Sequence, residues 1–377
     1  MAGIYIHIPF CRQACHYCDF HFSTSLKKKE QLLVCLKKEI NLRRNELFGE
    51  PIETIYFGGG TPSILTFEEI NDLIAEVYSI FEVSENPEIT LEANPDDLNR
   101  ETINKLALSK VNRLSIGVQS FYDEDLKMMN RVHNAEEALK SLQYASKKFE
   151  NISADLIYGV PNMSDERWLS NVQKMINLNI PHISCYALTV EEKTTLNRLI
   201  QKGVVPAPQE ESAQRHFVLL TQVLKKNGYI HYELSNFSKP GFFSRNNSAY
   251  WLGKKYLGIG PSAHSFDGKN RSWNIANNTL YIKGVESEQL VFETEKLTQF
   301  DRYNEYIMTG LRTIWGVDRK VVGEKFGEQF LDYLDKRVKK YVEKELVKQE
   351  ENIYILTDGG KFLGDGISSD LFWLDLK

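Results

Sequence analysis

The sequence predicts an α/β protein with one parallel sheet and a mainly helical C-terminal part, on three observations. Six short runs rich in apolar and β-branched residues alternate with stretches whose apolar residues recur every three to four positions. Polar and glycine-rich signals fall just after those runs, not before them. From about Thr298 the alternation stops and helical periodicity takes over. Strands that each return through a helix pair in parallel with right-handed crossovers. Such a sheet either curls into an incomplete (β/α)6 barrel or stays open and doubly wound, and pattern alone allows both. In either arrangement a ligand is met beyond the carboxyl ends of the strands.

The first strand, 4–10, runs directly into Cys11-Arg-Gln-Ala-Cys15-His-Tyr-Cys18. Three thiols spaced C-x3-C-x2-C can converge from one loop on one centre, and soft thiolates suit an iron-sulfur cluster. Three ligands leave one iron of a four-iron cube open to a substrate. A structural zinc wants a fourth Cys or His, which His16 or His21 could supply. A helix over 27–47 follows, with Leu32, Leu36 and Ile40 on one face and Cys35 on the same apolar stripe. The strand at 54–57 ends in Gly58-Gly59-Gly60-Thr61-Pro62, where missing side chains let backbone amides approach a ligand and permit positive φ. Helix 67–81, strand 88–93, helix 100–108, strand 113–118, a helical region through 148, strand 153–158, helix 165–178 and strand 182–188 complete the alternation. Glu92 ends the third strand, Gln119 follows the fourth and Asp155 lies within the fifth. Cys185, within the sixth, reads as a buried small residue, as does Cys35.

Composition narrows the function. With 42% hydrophobic and 26% charged residues the 377-residue chain is an ordinary globular protein. A net charge of -5 gives no general attraction to nucleic acid or anionic membrane. Five cysteines, three of them clustered, are no disulfide framework and fit a reducing compartment. The chain opens on a strand-like run with no signal-peptide pattern, and no apolar stretch approaches the roughly 18 residues of a membrane span. The expected location is cytoplasmic, with any membrane contact peripheral.

Together, Tyr5-Ile-His-Ile-Pro-Phe-Cys11, the cysteine spacing, the Gly-Gly-Gly-Thr-Pro turn, Leu114-Ser-Ile-Gly-Val-Gln119 and Asp155-Leu-Ile-Tyr-Gly-Val-Pro161 resemble the coproporphyrinogen oxidase-like group of radical S-adenosylmethionine (SAM) proteins, in that group's order and over nearly the whole chain. The resemblance implies the radical SAM partial (β/α)6 barrel and a 4Fe-4S cluster held by Cys11, Cys15 and Cys18, whose free iron takes the amino and carboxylate groups of SAM. It also implies one or two SAM sites lined by Tyr5, Tyr17, Gly59, Gly60, Thr61, Glu92, Gln119, Arg131, Asp155 and Ala187. The residue types suit such a ligand, because Glu92 can pair with a sulfonium or ammonium, Arg131 with a carboxylate, and Asp155 with hydroxyls or amines.

Within the group, oxygen-independent coproporphyrinogen III oxidases carry a fourth cysteine two residues after the third and a long arm before the cluster. Here Phe20 takes that position and ten residues precede Cys11. Both features resemble the HemW-type haem chaperones, which bind haem and deliver it to client haemoproteins, respiratory ones among them, as monomers or homodimers. The oxidase is the alternative. The stretch Asn246-Asn-Ser-Ala-Tyr250-Trp251 resembles the chaperones' H-N-x-x-Y-W, with Asn246 where the histidine stands. An amide does not replace imidazole as an iron ligand. Tyr250 and Trp251 offer flat surfaces to a porphyrin, and His264 or His231 could substitute for the missing imidazole.

Residues 1–205 are thus expected to form the radical SAM core, and 206–297 a barrel extension, entered through the linker-like stretch at 203–210. The C-terminal part, 298–377, combines three helices (302–314, 318–326 and 330–344) with a hairpin at 346–349 and 353–356, a winged-helix-like arrangement. Its basic residues Arg337, Lys339 and Lys340 are diluted by Glu343, Glu345, Glu350 and Glu351, so a solvated face rather than a nucleic-acid surface is expected.

Overall fold

The computed structural model describes residues 2–374. Strands β1 (Ala2–Ile8), β2 (Ile52–Gly59), β3 (Val83–Ala93), β4 (Arg113–Gln119), β5 (Asn151–Tyr158) and β6 (His182–Ala187) lie side by side in that order, every neighbouring pair parallel. These are the six strands the alternation predicts. Two additions extend them. Beyond β6 comes the antiparallel hairpin of β7 (Ile230–Glu233) and β8 (Asn236–Ser238). Beyond β1 comes β9 (Lys255–Ile259), parallel to it, and then β10 (His264–Phe266), β11 (Asn270–Asn274) and β12 (Phe292–Lys296), all antiparallel. The twelve-stranded sheet therefore ends at β12 and β7 and stays open, as an incomplete barrel requires.

The helices begin where polar residues cap them. Thr66 with Glu69 and Asn134 with Glu137 form reciprocal capping boxes ahead of Phe67–Ile80 and Ala135–Ala145, and Ser164 caps Asp165–Asn177. Their apolar faces, with Leu73, Val77, Leu142, Trp168 and Val172 almost fully buried, cover the outer surface of the sheet. The first helix, Lys29–Leu42, is shorter than the sequence pattern suggests. The reason lies at Arg43, whose guanidinium turns inward to Glu39, to the Gly258 carbonyl and to Ser265 and draws the chain out of the helix. Glu39 is itself fully buried and accepts hydrogen bonds from Arg43, Gly260 N–H, Asn274 and the Tyr281 hydroxyl. A buried carboxylate so completely partnered ties the first helix to the β9–β11 extension and to the helix Asn278–Glu286.

After Thr298, which caps its helix with Asp301, come Gln299–Leu311, Arg319–Phe326 and Glu328–Glu343. A small antiparallel sheet of β13 (Val317–Asp318), β14 (Val347–Glu350) and β15 (Ile353–Leu356) joins them in the winged-helix-like arrangement. Tyr303, Ile307, Phe330, Leu334 and Val338 give this part its own core. It is stitched to the edge of β7 by Leu234 N–H to Arg312 O and Ile314 N–H to Tyr232 O, each 3.0 Å. Two short helices, Asp358–Lys361 and Gly364–Asp370, follow without a clear sequence signal. Among the described residues no helix is long and apolar enough to cross a membrane.

Candidate functional site

Alternation along the strands turns one set of side chains toward the inside of the curved sheet. Tyr5 pairs across with Tyr56 in the register of β1 and β2, and the Tyr56 hydroxyl donates to Glu92 on β3 at 2.7 Å. Above this layer, at the carboxyl ends of the strands, a cavity of about 440 Å³ opens. Cys11, Cys15, Tyr17 and Cys18 reach it from the first loop, and Gly59, Gly60 and Thr61 from the second. Glu92, Gln119, Asp155 and Ala187 close it from the following strands, with Arg131 from the segment after β4. Tyr5 alone of the expected SAM residues stands one layer lower, stacked on Tyr56 with ring centroids 6.0 Å apart.

The cysteine loop is braced from outside. Its ends are joined by Cys11 N–H to Ser23 O and Ser23 N–H to Pro9 O, and its middle by His16 N–H to Met129 O and Leu196 N–H to His16 O. The Asn130 amide donates to Ala14 O at 2.7 Å. Around the thiols, Thr61 Oγ1 donates to Cys11 Sγ at 3.4 Å, and Arg131 Nη1 to Cys15 Sγ at 3.3 Å. Arg131 is fixed in turn by Asn94 Oδ1 and the Gly117 carbonyl. Asn94, two residues after Glu92, was not foreseen; its position directly after a strand was the available signal.

The zinc alternative is not supported. His16 is spent on the Met128 carbonyl and His21 on Asn278. Among the described residues no three His, Cys, Asp or Glu side chains are drawn together around one ion. Three thiols that line one cavity of about 440 Å³ suit a cube-shaped cluster, whose irons are separate corners.

The glycine run acts differently from the sequence expectation. Gly60 N–H donates to Ile8 O and Thr61 N–H to Phe10 O, while the Gly59 amide is turned to Glu92. These amides are spent on the protein rather than offered to a ligand. What glycine permits is close approach, since a Cβ on Gly60 would stand 2.6 Å from Phe10 O and one on Gly59 2.5 Å from the His7 ring.

Burial sets the electrostatics. Desolvation raises Glu92 from 4.5 to about 7, against the Tyr56 hydrogen bond and with help from Asp155. Asp155 rises to about 6 for the same first reason, opposed by Ser184 and by the charges of Arg113 and Arg131. Burial also pushes Cys11 up and Cys18 up to about 11. Arg131 keeps its charge despite burial because Tyr17 and Cys15 lie against it. Two acids held partly neutral beside a fixed guanidinium form a pocket that gains most from a ligand carrying both a cation and a carboxylate.

The residues expected to handle haem do not all gather at one place. Asn246 is buried at the opposite, amino end of the strands, accepting from Thr54 Oγ1 at 3.1 Å, with its own N–H on Glu88. Tyr250 packs edge-on to Tyr256 and Trp251 lies under the Arg312 guanidinium. The expectation that His231 could serve as a ligand fails, because it is buried, stacked on Phe237 and bonded to Leu234 O and Lys361 Nζ. His264 is exposed on β10.

Comparison with known proteins agrees with this geometry. The model of the radical SAM superfamily matches residues 5–175, and that of the HemN C-terminal domain residues 297–363. The heme chaperone HemW of Bacillus subtilis is 34% identical over 97% of this chain and 98% of its own length. The heme chaperone HemW of Lactococcus lactis is 33% identical over 96% and 95%. The structure of coproporphyrinogen III oxidase from Escherichia coli superposes with a TM-score of 0.85 over 98% of this chain and 90% of that one; at 24% identity this shows the shared fold. On a cysteine-lined cavity at the carboxyl ends of an open parallel sheet, and on near full-length identity, the chain belongs to the HemW family of the radical SAM superfamily.

Proposed function

We propose that this protein is a haem chaperone that carries a 4Fe-4S cluster and SAM in the cavity above the sheet and delivers haem to client haemoproteins. Cys11, Cys15 and Cys18 hold the cluster. When bound, such a cluster would supply positive charge that favours the thiolate forms of these cysteines and an iron site open to the amino and carboxylate groups of SAM. Arg131 orients the carboxylate end of the ligand, Glu92 faces its cationic part, and Asp155 and Gln119 accept and donate to its hydroxyls and amines. Gln119 holds its place through a left-handed backbone, φ +66°, an uncommon conformation for a non-glycine residue that aims its amide into the pocket. Residues 1–205 serve the cofactors, 206–297 complete both sheet edges and 298–377 close the C-terminal side. All five cysteines are unpaired, which suits the reducing cytoplasm.

The observation that carries the chaperone reading over the oxidase is Phe20. It stands at the rim of the cluster cavity, 69% exposed, where the oxidases have a further cysteine. An exposed phenyl ring is an apolar contact and adds no metal ligand. Haem titration followed by transfer to an apo-haemoprotein tests the reading. Saturable binding with transfer is expected, and absence of haem binding would refute it.

A further inference from the structure

A haem carrier needs an iron ligand that is reachable and not already engaged. The chain has eight histidines. Five are buried: His7, His133, His182, His216 and His231. Each of these rings already makes a hydrogen bond within the fold. His16 and His21 are half-buried and engaged by Met128 O and Asn278. His264 remains. It is exposed, and among the described residues no hydrogen bond reaches its ring.

Its surroundings suit a metalloporphyrin. The register of β9, β10 and β11 sets His264 opposite Trp273, and Phe266 opposite both Arg271 and Tyr256, so all five side chains share one face. The His264 and Trp273 rings are stacked, 5.7 Å between centroids and 29° between planes. A metal-bound imidazole meets the macrocycle edge-on, so the stacked indole fixes the imidazole's direction, a task more often done by a hydrogen bond to the second ring nitrogen. Phe266 and Tyr256 continue the face as apolar floor, each only partly buried. Arg271 lies two residues from Trp273 along β11, about 7 Å at strand rise. Its guanidinium pairs with Glu305 of the helix Gln299–Leu311 at 2.7 Å, which brings that helix beside this face.

Position 246 has none of these properties. Asn246 is 4% exposed, its side chain is met by Thr54, and its backbone N–H and that of Arg245 end on the Glu88 carboxylate. A side chain there braces the helix Arg245–Trp251 against the barrel floor.

We propose that His264, oriented by Trp273, is the axial ligand of the haem iron, that Arg271 receives a haem carboxylate, and that residue 246 is a structural strut. This rests on the haem-chaperone reading and specifies its site. The test is haem titration of the full chain, followed by Soret absorption and electron spin resonance, for the parent, His264→Ala and Asn246→His. Far-ultraviolet circular dichroism and SAM binding, both unchanged, establish that the variants are folded. The parent is expected to show a histidine-ligated spectrum, His264→Ala to lose it and regain it with free imidazole, and Asn246→His to keep the parent's. An unchanged spectrum in His264→Ala, loss that imidazole does not rescue, or a Soret shift in Asn246→His would each overturn the assignment. A parent that binds no haem would instead overturn the chaperone reading on which the site rests.

Discussion

Replacing Glu92 by glutamine separates what the residue costs the fold from what it does for a ligand. Burial raises its carboxyl from 4.5 to about 7, so the folded state holds a proton that the unfolded chain releases. Stability is therefore lost as pH rises from 4.5, and the whole cost is present above 7. At about 1.4 kcal/mol per pH unit, the charge costs the fold about 1 kcal/mol at pH 5 and about 3 kcal/mol at pH 8. Glutamine keeps the volume, and its amide can still meet the Tyr56 hydroxyl and the Gly59 N–H. Urea unfolding of cluster-free Glu92→Gln should thus show a more stable protein than the parent, by an amount that grows between pH 5 and pH 8. With the cluster rebuilt, SAM should bind more weakly at pH 8 by about 2 kcal/mol, roughly thirtyfold, the usual loss for a charged hydrogen bond. Parent affinity should fall about fivefold between pH 7 and pH 6, and the variant's should fall less, through Asp155 alone. A variant less stable than the parent at pH 8 would refute the burial argument, and unaltered SAM affinity would remove Glu92 from the ligand site.

Anaerobic reconstitution should give about four irons per chain with a spectrum that responds to SAM, and Cys15→Ala should lose the iron while its helical dichroism persists; zinc in place of iron would sink the cluster assignment. Coproporphyrinogen III, incubated with the reduced holoprotein and SAM, should be recovered unconverted, and chromatography that finds cluster-dependent decarboxylation would restore the oxidase reading. Glu88→Ala should destabilise the fold by about 4 kcal/mol, because it uncaps the helix Arg245–Trp251 and strands the buried Arg113 guanidinium. Adding Arg113→Met should return part of that loss in urea midpoints; a double variant no better than the single would show that Arg113 is not the residue left unpaired.

The core and the cluster loop were legible because their signals are local and long. Six- to eleven-residue strands alternating with capped helices leave a clear trace, and so do three cysteines within eight residues. Strands β7 to β12 were not, since runs of three to five residues are too short for alternation to stand out, and pairing β9 beside β1 joins segments some 250 residues apart. The same distance hid the role of Glu39, whose partners Gly260, Asn274 and Tyr281 lie far along the chain. At the site, residue type was readable but amide direction was not, so the glycine run read as a ligand cradle when it is a contact between neighbouring loops. The surroundings of Asn246 were hidden for a related reason: a motif gives position along a helix, not which end of the barrel that helix faces.

An open sheet has two borders at which a stray strand from another molecule could add itself. At β7 the chain covers its own border with the backbone of Arg312 and Ile314. At β12, among the described residues, no strand pairs with the outer side, and all five residues, Phe292, Glu293, Thr294, Glu295 and Lys296, are exposed. Three of the five are charged, and Glu293 and Glu295 project on the same side, so an intruding copy would set carboxylates against carboxylates. Aggregation is thereby discouraged at the one border the fold leaves bare, and the sheet can remain unclosed around its cavity without recruiting a neighbour.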